Sequence, residues 1–244
     1  TTVSGTSQTA ETDSTSIKVW RVVSVDPKTG AATFEHSVES VEMRQQLTGR
    51  EEVRYSSLTD KEPPVGFEDA ARNVGVVLSV VTLDATGEVV SRENKRQPGA
   101  AEGQITVPLP KQPVQIGDTW TAPYELPLAD KNGRVVQVKT RQRFKLEDVT
   151  GDIATISVET QILTPISDPG IEAQLVQRES NGKVRFDRVA GRVIGQQMDL
   201  DKKVHGFAGE ASVLHYVMRF SEEMLPAGTS TATRPPAGPA PAPR

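Results

Sequence analysis

The strict alternation in RVVQVKTRQRFKLEDV, residues 134–149, constrains the fold more than any other feature of this chain. Val136, Val138, Phe144 and Leu146 share one parity, whereas Gln137, Lys139, Arg141, Arg143, Lys145 and Glu147 share the other. Successive side chains of a strand point to opposite faces, so the spacing predicts a long strand with one face on a core and one in water. The next run, IATISVETQI, sets Ala154, Ile156, Val158 and Ile162 on one face, and TGD between the runs supplies a turn. Turn signals of the same kind recur at Asp26–Gly30, Asp84–Gly87, Asn132-Gly133, Asn181-Gly182 and Ala190-Gly191. Glycine there takes the positive φ that tight hairpins need, and hairpins in series make an antiparallel meander.

The remaining segments fit that grammar. In AATFEHSVESVEM the apolar phase slips between Phe34/Val38 and Val41/Met43, which predicts a bulge near Glu39 and Ser40. The run GVVLSVVTL is apolar on both faces and belongs at the centre of a sheet. VGFEDAARNVG can form one short helix with Phe67, Ala70, Ala71 and Val74 on one side. ASVLHYVMRF fits either period, and its β-branched and aromatic content favours strand over helix for residues 211–220. The expected fold class is mainly β: a curved antiparallel meander sheet, an open half-barrel, with one short covering helix. Residues 1–16, rich in Ser and Thr, and the Pro/Ala-rich tail 226–244 are expected to be disordered. Residues 17–225 are expected to form a single β-rich domain.

Composition removes several function classes. Lys and Arg number 28 against 32 Asp and Glu, a net charge of -4, which disfavours a phosphate-driven nucleic-acid binder. No apolar run is long enough for a bilayer-spanning helix. With no cysteine there is no disulfide, thiolate site or cysteine nucleophile. The three histidines, His36, His205 and His215, lack metal-ligand spacing. DLDKKVHG breaks the calcium-loop pattern at Lys203. No nucleophile elbow or phosphate-cradling glycine loop occurs. The expectation is a non-enzymatic protein with no cofactor, no metal and no catalytic residues.

Two features stand out as candidates. Lys139, Arg141, Arg143 and Lys145, spaced by two, project from one strand face and would suit an anionic partner; a solvated outer face is the plainer reading. In VPLPKQPVQIGDTWT, three prolines keep the approach extended, Gly117 and Asp118 turn the chain, and Trp120 anchors it. Gly117, Asp118 and Trp120 are therefore assigned a structural role.

The segment ITVPLPKQPVQIGDTW, the pair FKLEDVTGDIATISVET and the stretch NGKVRFDRVAGRVI together resemble a group of uncharacterised secreted or envelope-anchored bacterial β-rich proteins. Their shared pattern is V-x-x-G-D-x-W, then A-x-I, then G-x-x-x-F-D-x-x-x-G-R. More remotely, the layout is similar to the half-barrel of bacterial lipoprotein carriers. The resemblance implies an extracytoplasmic protein in the periplasm, envelope or medium, in line with a chain that begins without Met. The expected function is a binding or interaction module, such as a subunit of an envelope assembly, with another protein or envelope component as partner. The alternative is a carrier or sensor of lipids or lipoproteins that holds an apolar group against the concave sheet face.

Overall fold

The computed structural model describes residues 1–96 and 105–226. Along the chain run β1 (Thr2–Val3), β2 (Thr6–Ser7), β3 (Ala10–Val25), β4 (Ala32–Leu47), β5 (Val53–Ser56), α1 (Glu68–Arg72), β6 (Val77–Leu83) and β7 (Val89–Asn94). After these come β8 (Thr119–Ala129), β9 (Val135–Thr150), β10 (Ile153–Ile162), α2 (Pro169–Val176), β11 (Asn181–Asp187), β12 (Arg192–His205) and β13 (Ser212–Glu223). The protein is mainly β, and every strand pair within its sheets is antiparallel.

The strands form two compact units where one domain was expected. Alternation alone does not separate them, because it reads the same in either sheet. The larger unit holds an eight-stranded sheet ordered β2-β1-β13-β12-β11-β10-β9-β8. Its last six strands are a meander turned at Asp130–Gly133, at Gly151 and at Asp187–Gly191. The smaller unit holds β3-β4-β6-β7, with β5 beside β4. Here β6 is central, as its two-sided apolar character requires, and Glu39 is the bulged residue: Ile17 faces Ser40, and the next residue, Lys18, faces Val38. The 211–220 stretch is strand, lying within β13.

Three expectations need correction. Residues 1–16 are not structureless: β1 pairs with β13, and Ala10–Ser16 pair with Val41–Leu47. Composition measures apolar burial, whereas these residues are held by backbone pairing and by Arg44, which donates to Asp13 (2.8 Å), Glu52 (3.0 Å) and Glu11 (3.5 Å). Asn181-Gly182 is not a turn but the start of β11, where glycine answers a close approach of β12. Finally, the described residues hold two helices. The predicted one is the five-residue α1, whose preceding Phe67 is buried with Val41 and Tyr55 of the smaller unit. The other, α2, lies on the larger sheet. Residues 227–244 of the expected tail lie outside the described residues.

Helix α2 also reveals the shape of the larger sheet. Ala173 and Val176 are buried with Leu200 and Val204 of β12. The adjacent Gln174 donates to the Ala129 carbonyl (2.8 Å) and accepts from the Ala129 amide (3.4 Å) in β8. Strands β8 and β12 stand four intervals apart in the sheet order. Laid flat, at ~4.8 Å per interval, that is roughly 19 Å, wider than a helix of ~10–12 Å. The sheet therefore curves around α2, and it remains open because β2 and β8 end its order unpaired to each other.

Candidate interaction surface

The glycine-aspartate corner is built from the strand it feeds. Gly117, at φ 98, donates to the Leu146 carbonyl (2.8 Å), and the Leu146 amide returns a bond to the Asp118 carbonyl (3.1 Å). The Asp118 carboxylate accepts from the Gln115 amide at 2.8 Å, closing the turn. A φ of 98 strains any residue that carries a Cβ, so the turn and its entry to β8 depend on Gly117. Two residues later Trp120 stacks on Phe144, with centroids 5.5 Å apart at 18°, and its indole N–H donates to the Pro108 carbonyl at 2.8 Å. Val107 is buried on the same cluster, with Leu109 and Val114 packed against it. The proline-spaced segment thus lies over the inner sheet face as a cover, and its extended backbone leaves the Pro108 carbonyl for the indole. Gly117, Asp118 and Trp120 direct their polar groups to this chain's own backbone.

The remainder of the inner face is also occupied. Phe144, Ile156, Val158, Val184 and Phe186 form one cluster beneath that cover, and Ile171 and Leu175 of α2 sit with Leu128 and Val138 in another. Buried Phe144 and Val138 belong to the apolar half of the alternation in residues 134–149.

The opposite face carries the basic row. Lys139, Arg143 and Lys145 are exposed and Arg141 is half-buried. Arg141 donates to the neutral Gln161 side chain at 2.7 Å. Arg143 faces Glu159 in register, with its nearest nitrogen 4.0 Å from the carboxylate. Lys145 stands 3.8 Å from Glu147, which binds Lys183 of β11 more closely, at 3.1 Å. Lys139 lies in register with Glu125 of β8. On this face β8–β11 carry six cations, the four named plus Lys183 and Arg185. Against them stand Glu125, Glu147, Asp148, Glu159 and Asp187 and, from β13, Glu223, which pairs with Arg185. Acids and cations are equal in number over the face, but the cations are concentrated in the row of four on β9. Further across, Asp199 binds Arg219 (3.0 Å) and Asp201 meets His215 (2.7 Å).

The ionisable groups with resolved shifts serve the scaffold. Asp26 and Asp130 sit below the usual carboxylate range, first because the backbone N–H groups of Lys28 and Arg134 bond to them within their turns. Glu147 is lowered chiefly by its hydrogen bond from Lys183, Glu52 by Arg54 and then Arg44, and Asp199 by Gln197 and then Arg219. Carboxylates lowered this way accept hydrogen bonds steadily; they are not poised to give up a proton near neutral pH. Of the histidines, His36 is buried and stacks on Trp20 (4.4 Å, 19°), His215 meets Asp201 on the surface, and His205 ends β12. Among the described residues, no group of three His, Asp or Glu is placed to hold a metal ion.

One feature carried no sequence signal. In the smaller unit a surface cleft of about 350 Å³ is lined by Val19 and Arg21 of β3, Glu35 and Ser37 of β4, and Gly75, Val76 and Val77. It depends on cross-strand register, which places residues distant in sequence side by side.

Over residues 102–193 the chain is similar to a family of unknown function (DUF6263). The matched stretch runs through the glycine-aspartate corner, Trp120, the basic row and α2 to the turn at Gly191, and the family, like the proteins the sequence resembles, is uncharacterised. No curated protein and no solved structure matches the chain.

Proposed function

We propose that this protein is a non-catalytic, extracytoplasmic interaction module that presents the outer face of β8–β11 to an anionic partner, either an acidic protein or an envelope component. The observation carrying this reading is the contrast between the two sheet faces. The inner face is filled by the chain's own cover and helix, while the outer face holds loosely paired cations at a two-residue repeat. Ion pairs at 3.8 to 4.0 Å in water contribute little, so an incoming carboxylate or phosphate competes for these cations at small cost. Direct tests are binding to polyglutamate and to phosphatidylglycerol-containing vesicles, using the native chain and a Lys139→Glu, Arg143→Glu, Lys145→Glu variant. The native chain binds one of the two, more weakly as salt rises, and the variant loses that binding. Equal binding by both proteins would remove the reading.

A second reading, a carrier or sensor of lipids or lipoproteins, draws on the curvature of the larger sheet and would require the cover or α2 to move off the inner face that they fill. Lipid co-purifying with the native protein, detected by native mass spectrometry or in an organic extract, would favour it. The charge-reversed variant would keep that lipid.

A further inference from the structure

Strand β3 pairs with β4 along one edge, and among the described residues no strand pairs with its other edge over Ala10–Val25. Its charges are segregated. Residues 10–16 carry Glu11 and Asp13 and no cation, whereas residues 17–25 carry Lys18 and Arg21 and no acid. An antiparallel copy of the same strand sets the acidic half of each against the basic half of the other, whereas a parallel in-register copy sets like on like. We propose that β3 is a homodimerisation edge: two copies of this chain pair their β3 strands antiparallel about a two-fold axis at Ser16. This register places Glu11 directly opposite the second copy's Arg21, with Asp13 on the diagonal, all three side chains on one face. Thr15 then lies opposite Ile17, a β-branched pair. The paired segment, Ala10–Val22, ends before the bulge at Val23, where the register of β3 on β4 shifts.

The charges remain available although each has a contact within its own chain. Arg21 pairs with Glu35 through one terminal nitrogen and keeps a side chain that is 70% exposed. Glu11, Asp13 and Glu52 surround Arg44 and Arg54, so three carboxylates share two guanidinium groups and one negative charge is in surplus. A two-fold contact also closes on itself, which protects an edge that would otherwise template open-ended association.

The absence of cysteine makes the test clean, since one introduced thiol is unique. Ser16 and Ser24 are both exposed strand residues that accept cysteine with little change to the fold. In the proposed dimer the two thiols introduced at position 16 meet at the axis, whereas two at position 24 stand roughly 50 Å apart at ~3.4 Å per residue. Under mild oxidation Ser16→Cys should form a disulfide-linked dimer at least about tenfold faster than Ser24→Cys, because pairing raises its effective concentration. Sedimentation of the native chain should give the mass of two 26.4 kDa protomers. Arg21→Glu should shift that equilibrium toward monomer, and Glu11→Arg combined with it should restore the dimer. Equal cross-linking at both positions, none at position 16, or a native chain that stays monomeric overturns the proposal.

Discussion

At Gly182 a methyl group would stand 2.0 Å from the Gln197 carbonyl and 2.8 Å from the Met198 sulfur, whereas at Gly195 it would meet only the far ends of Arg185 and Glu223, at 2.7 Å. Two glycines on paired strands thus do different work. The first lets two backbones approach beneath Met198, and the second makes room for an ion pair that can swing aside. Gly182→Ala should therefore cost about 3 kcal/mol or more of unfolding free energy, and Gly195→Ala about 1 kcal/mol or less, in matched denaturant titrations. Trp120→Ala removes both the stack on Phe144 and the tie to Pro108, and should cost about 3 to 5 kcal/mol. A Trp120→Ala protein that kept its stability but lost a partner would instead place the tryptophan at a binding surface. Acid sensitivity follows from Asp26, Asp130, Glu52, Glu147 and Asp199, each lowered in the folded state. Their contribution is present above the unfolded pKa and is lost as pH falls through the folded one. Melting temperature should accordingly fall below about pH 4, and Asp130→Asn should flatten that slope.

Among the elements, long strands were the most legible, because one face of β9 is buried and the other wet over most of its length and the sequence alternates to match. Helix α2 was not legible, for a reason visible in its residues. Ile171, Ala173 and Leu175 are all buried and read as period two, and the neighbouring Val176 is buried as well, because a short helix under a curved sheet is covered on more than one side. The signal that does mark it is Asp168-Pro169: the Asp168 side chain accepts from the Gly170 amide at 2.8 Å and proline occupies the first turn. Leu175, 1% exposed, should cost about 2 to 5 kcal/mol on replacement by Ala. Gln174→Ala should cost only about 1 kcal/mol, since it leaves the edge amide and carbonyl of Ala129 to water. The basic row was readable as residues, but its pairing was not. Glu159 and Lys183 reach it through register, and register is set by turns and bulges that spacing alone does not count.

For the whole molecule, the two units were hidden because the chain does not divide at one point. Thr1–Thr9 and Thr86–Glu88 belong with the larger unit, and Ala10–Ala85 and the strand Val89–Asn94 with the smaller. Each unit has its own buried clusters and one of the chain's two tryptophans, Trp20 in the smaller and Trp120 in the larger. Trp20→Phe and Trp120→Phe variants therefore leave one fluorescent reporter per unit, and their denaturation midpoints should differ; coincident midpoints would mean one cooperative transition. The interleaving also sets an order of events. Thr2 pairs with Val213, a contact across more than two hundred residues, whereas the strands of the smaller sheet all lie within Ala10–Asn94. Synthesis is directional, so the β1–β2 hairpin cannot join β13 until the chain has been made as far as β13. Closing so long a loop is slow as well as late, which makes this hairpin one of the last pieces to join the larger sheet.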